Sequence, residues 1–125
     1  MAKMTGAMAM TQMLVRLTGL ISVILGVLLW TGRALALIPQ HMFIGVVFVL
    51  SLWVLAALAA RAGVSSPFIV TVVLWGVLVL VLGLMQRQLL VGDAHWVIQV
   101  LHLLIGLGAI RQAEKLAADI QRAAP

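Results

Sequence analysis

Cysteine is absent from the 125 residues, which removes disulfides, thiolate metal sites and cysteine nucleophiles. Carboxylates are nearly absent: Asp93, Glu114 and Asp119 are the three acidic residues, against eight lysines and arginines. So few, and so placed, they form no general acid–base pair. No nucleophile–base pair or phosphate-cradling glycine loop stands out either. Hydrolytic and transferase chemistry is therefore excluded, and any activity would be redox chemistry belonging to a cofactor.

Hydrophobic residues fill the space that charge leaves. They make up 65% of the chain, against 9% charged residues, and the mean hydropathy is +1.25. A soluble domain of this length has too little interior for so much apolar surface. Runs over 13–31, 34–60, 68–91 and 94–110 are almost wholly apolar. As helices they are long enough to cross about 30 Å of hydrocarbon, the shortest by continuing into the polar tail. No segment alternates as a barrel strand would. The sequence predicts an all-α membrane protein, with residues 1–125 forming one four-helix transmembrane domain.

The net charge of +5 is read by position and not as a nucleic-acid footprint. Lys3, Arg16, Arg61, Arg111, Lys115 and Arg122 fall on one side of such a bundle, and Arg33 and Arg87 on the other. The positive-inside rule then puts both termini in the cytoplasm, in a bacterial inner membrane. Arg16, inside the first run, is expected to snorkel to that interface. Lys3 ahead of an apolar run and Ala34-Leu35-Ala36 after it imitate a signal peptide. The run is longer than a signal core and Arg33 precedes the would-be cleavage site, so it is read as the first span.

Punctuation marks the turns. Met1–Gln12 is expected at the cytoplasmic interface. Thr31-Gly32-Arg33 closes the first span, and Pro39 falls early in the second, where a short broken start or a kink is expected. Ser65 or Ser66 before Pro67 suits the N-cap of the third span, and Asp93 that of the fourth. Residues 111–123 keep helical periodicity with one charged face, which predicts a cytoplasmic amphipathic extension resting on anionic headgroups. Short connections favour an up-down-up-down bundle with the second and fourth helices diagonal across the core.

The two halves read as parallel copies of one hairpin. His41-Met42-Phe43-Ile44-Gly45 and His102-Leu103-Leu104-Ile105-Gly106 share H-x-x-I-G, and an arginine, Arg61 or Arg122, follows each histidine by twenty residues. The first and third spans each carry two glycines seven apart, Gly19 with Gly26 and Gly76 with Gly83. Eight or nine helical residues from the outer turns place both histidines about 12–14 Å deep. Two imidazoles at one level on facing helices suit the two sides of a haem iron. Gly45 and Gly106, one turn on, leave room for a flat macrocycle. The glycine pairs are candidates for its edge. Arg33, Arg87 and His95 are candidates for its propionates, and His95 is also the alternative ligand.

In this arrangement the chain resembles small bacterial four-helix b-type cytochromes. The resemblance covers the four spans and rests on His41/Gly45 and His102/Gly106. It implies non-covalent haem b held by His41 and His102, electron transfer, and a quinone or periplasmic redox partner. A (bacterio)chlorophyll would use the same residues. Competing expectations are an accessory or structural subunit, as part of a homodimer or a larger membrane complex, and a small exporter. The exporter is disfavoured because no carboxylate lies within a span, leaving only His102 to carry a proton. Glycines at helix contacts and the tryptophans Trp30, Trp53, Trp75 and Trp96 also have ordinary packing and interface roles.

Overall fold

In hydrocarbon every peptide group must be paired within its own segment, so apolar runs of this length fold as helices. The computed structural model describes residues 6–123. It contains α1 (Gly6–Trp30), α2 (Ile38–Arg61), α3 (Ser66–Met85) and α4 (His95–Ala123), with no strand among the described residues. All four helices are long and apolar enough to cross a membrane. Three hydroxyls inside them bond back to the preceding turn: Thr18 to the Leu14 carbonyl at 2.7 Å, Ser51 to Val47 at 2.7 Å and Thr71 to Pro67 at 2.9 Å. None of these hydroxyls is left to the lipid unpaired.

Several boundaries differ from the sequence reading. Helix α1 already includes Gly6, and Met8 and Gln12 are buried. The Met-rich segment is therefore helix from Gly6 onward, while residues 1–5 lie outside the described residues. Helix α2 has the broken start expected at Pro39: a 3-10 turn at Leu35–Leu37 precedes the α-helix, which carries the proline in its first turn. Helix α3 stops at Met85, short of residue 91. A 3-10 turn at Gln86–Gln88 follows, then extended Leu89 and then Leu90 at φ +46°. Ser65 occupies the N-cap position of α3 without a side-chain hydrogen bond. Asp93 does not cap α4, because the His95 N–H bonds the Gly92 carbonyl at 3.0 Å and the helix begins only at His95. Helix α2 ends in a Schellman turn. Val64 donates to the Ala59 carbonyl and Gly63 to Ala60, with Gly63 at φ +83° where a side chain would be strained.

The helices run antiparallel in sequence order. Helices α1 and α3 each touch α2 and α4, and, among the described residues, not each other. Helices α2 and α4 meet across the short diagonal. The end bearing Gly6, the α2–α3 turn and Ala123 is termed proximal, and the end bearing the other two turns distal. Packing divides between them. The largest fully buried side chains, Val15, Val49, Leu52, Leu55, Val72 and Leu116, lie at mid-bundle or proximal to it. Ala56 and Ala59 on α2, with Ala109, Ala113 and Ala117 on α4, are almost completely buried there. Small residues let helix backbones approach closely, which in lipid replaces the missing hydrophobic drive between helices.

The polar end of α4 is not simply laid on headgroups. Ala113, Leu116, Ala117 and Ile120 belong to the main core, so its apolar face is spent on the other helices. Arg16 is likewise paired and not left to snorkel alone. It donates to both Glu114 carboxylate oxygens at 2.6 and 2.7 Å, and Gln12 donates to one of them at 3.1 Å. The Arg16 hydrogen bond and charge hold the Glu114 carboxyl below its usual range. One turn further on, Asp119 accepts from Lys115 and Arg122, and Lys115 lies 4.4 Å from the Phe68 ring centre.

Candidate functional site

The distal half is open where the proximal half is knit. A cavity of about 890 Å³ runs from Arg87 and His95 at the distal end to Gly19 and Ile110 at mid-bundle. That volume lies within the usual range for small-molecule pockets, about 300–1,000 Å³.

His41 and His102 both line the cavity, and their ring centres are 6.2 Å apart with planes inclined at 73°. The two histidines that residue counting placed at similar depth are therefore neighbours in space. Nδ1 of each ring is buried and has no hydrogen-bond partner. The hydroxyl of Ser22, on the α1 wall of the same cavity, is also buried and unpartnered. Unpaired buried polar atoms are uncommon because each forfeits its hydration. Three of them converge here.

Glycines shape the site in two ways. Gly45 and Gly106 line the cavity, and a Cβ added to either would meet no atom within 4 Å. Both positions face open space. Gly26 and Gly83 do something the sequence did not disclose. An ideal Cβ at Gly26 would lie 3.5 Å from His41 Cε1, and one at Gly83 would lie 3.3 Å from His102 Cε1. Each imidazole is thus seated on the second glycine of the preceding helix, and the hairpin repeat is reproduced as a repeated contact.

Their partners in the sequence pattern have other duties. Gly19 receives Ile110 and Phe48, and Gly76 receives the indole of Trp53. Gly76 consequently stands apart from the cavity, while Gly19, Gly26 and Gly83 line it. Trp53 donates to the Val73 carbonyl at 3.2 Å, and Trp75, packed on Gly108, donates to the Ile105 carbonyl at 2.8 Å. Those two tryptophans bridge neighbouring helices. Trp30 and Trp96 are exposed near the distal turns.

Of the charged candidates, Arg87 lines the cavity and Arg33 does not; Arg33 is exposed in the α1–α2 turn. His95 lines it too, but its Nδ1 lies 3.1 Å from the Leu89 carbonyl. A carbonyl only accepts, so that nitrogen carries the proton and is committed to the turn.

The ring-centre separation can be compared with that of two imidazoles holding one ion. A ring nitrogen lies about 1.1 Å from its ring centre and metal–imidazole bonds are about 2.0–2.1 Å. Two imidazoles on opposite sides of one ion then have centres about 6.2–6.4 Å apart. No group of three or more His, Cys, Asp or Glu side chains gathers around a metal position among the described residues. Compared with protein-family models, curated proteins and solved structures, the chain matches none.

Proposed function

We propose that this four-helix chain is a membrane b-type cytochrome-like protein that holds haem non-covalently between His41 and His102 and passes electrons. The 6.2 Å separation of the two imidazoles carries the proposal. That spacing is compatible with both imidazoles holding the iron of one haem. Bound haem would supply one-electron chemistry with little change of coordination.

The chain's own residues would do the rest. Gly26 and Gly83 fix the imidazoles, while Gly45 and Gly106 keep the volume between the helices clear. Arg87 offers a cation to a carboxylate at the distal end. The cavity walls are mostly apolar, which favours a centre of low net charge. Arg61, Arg111, Lys115 and Arg122 cluster toward the proximal end, which supports a bacterial cytoplasmic membrane with that end inside. The open distal half would then face the periplasmic side, toward a quinone or a periplasmic partner.

The test is an absorption spectrum of the detergent-purified protein from haem-supplied cells, oxidised and then reduced. A Soret band with a sharp reduced α-band is expected, and the sharp band should disappear in both His41→Ala and His102→Ala. Protein without tetrapyrrole bands would leave an accessory or structural subunit as the better reading. Bands of a (bacterio)chlorophyll would keep the site and change the cofactor. Retention of the sharp band in His41→Ala with its loss in His95→Ala would move the ligand to His95.

A further inference from the structure

The two histidines match in depth but not in anchorage. His102 lies within an uninterrupted stretch of α4, with Ile98 and Ile105 buried about one turn to either side. Its seat is tight, the ideal Cβ of Gly83 coming within 3.3 Å. His41 is the fourth residue of α2, which itself follows directly on the 3-10 turn, and lies two residues beyond Pro39. No residue of α2 ahead of Phe48 is buried, and the seat on Gly26 is at ordinary contact distance, 3.5 Å. The first turn of a helix lacks intrahelical acceptors for its N–H groups. Segments with few buried contacts open at the lowest free energy. The Ser22 hydroxyl, one turn along α1 from the Gly26 on which His41 rests, lines the same cavity and is buried without a partner.

We infer that His102 is the fixed ligand and His41 an exchangeable one, so that a small neutral diatomic molecule can take the position His41 vacates, with the Ser22 hydroxyl donating to it. This rests on the haem reading above. The exchange breaks the bond from the His41 nitrogen and forms one from the incoming molecule, without transfer of an electron. It gives the orphaned Ser22 hydroxyl a use and makes the α1–α2 wall the side at which ligands are admitted.

The experiment uses the full-length protein in detergent, reduced and exposed to carbon monoxide. In the unaltered protein the Soret band should shift as carbon monoxide replaces His41, more slowly than in His41→Ala, where the position is already open. His41→Ala should keep its pigment through His102, whereas His102→Ala should lose most of it. Ser22→Ala should move the C–O stretching band to higher wavenumber, through loss of a donor to the bound oxygen. A reduced low-spin spectrum that carbon monoxide leaves unchanged overturns the inference while the haem reading stands. Pigment kept by His102→Ala and lost by His41→Ala reverses the assignment and overturns it too. An unmoved C–O band in Ser22→Ala removes the hydroxyl from it. A colourless protein defeats the haem reading itself, which separates the two failures.

Discussion

Gly83 lies directly against His102: a methyl group added there would stand 3.3 Å from Cε1 of the ring, closer than ordinary side-chain contacts. The equivalent distance from Gly26 to His41 is 3.5 Å, an ordinary contact. Alanine should therefore be tolerated at 26 and felt at 83. Gly83→Ala is expected to lower pigment content or shift the Soret band, with Gly26→Ala close to the parent. Leucine at either position should displace the imidazole and abolish the low-spin spectrum. Equal spectra for both alanine variants would show that these seats do not position the rings.

Filling the cavity should separate function from stability. Gly106 faces open space, so a larger side chain meets nothing within 4 Å at its Cβ. Relative to glycine, leucine in a helix interior gains roughly 0.5–1 kcal/mol from propensity alone. Gly106→Leu and Gly45→Leu are expected to raise the thermal midpoint of the cofactor-free protein and to abolish tetrapyrrole binding. A packing defect would give the second effect without the first.

Gly108 and Trp75 form a close-fitting contact in the knit part of the bundle. A Cβ at 108 would stand 2.9 Å from the indole Cζ2, which cannot be relieved by a flexible chain end. Gly108→Ala should cost about 1–3 kcal/mol, the usual range for overpacking. Trp75→Phe, which removes the donor to the Ile105 carbonyl, should cost about 0.5–1.5 kcal/mol for the hydrogen bond, plus lost packing. Unfolding in mixed detergent would read both.

Acid should loosen the join between α1 and the polar part of α4. Arg16 holds the Glu114 carboxyl below its ordinary value. Its contribution is complete above the unfolded-state pKa of about 4.3 and is lost as pH falls through the lower folded value. Both partners are well exposed, 56% and 41%, so the loss should stay within about 1 kcal/mol. Glu114→Gln is expected to flatten the acid limb of a melting-temperature profile. An unchanged limb would place the acid sensitivity elsewhere.

Much of this architecture was legible because lipid imposes simple rules. The four runs gave four helices, and counting residues from the turns gave a common depth for His41 and His102. Boundaries were less legible where apolar residues serve as loop. Leu89-Leu90-Val91 continues a hydrophobic run, yet the chain has already left the helix at Gln86-Arg87-Gln88. Direction around a helix was hidden altogether. Glycines seven apart look alike in sequence, but Gly83 faces an imidazole and Gly76 an indole. The Arg16–Glu114 pair joins residues 98 positions apart, and no local pattern announces it.

The division of the bundle into a knit proximal half and an open distal half has a consequence for assembly order. Val15, Leu52, Leu55 and Leu116 are buried without help from anything in the cavity. On the haem reading, the chain would pair its hairpins and form the cavity before haem arrives. Loading would then be a late and separable event. Its rate should be set by access through the distal half and not by the folding of the polypeptide.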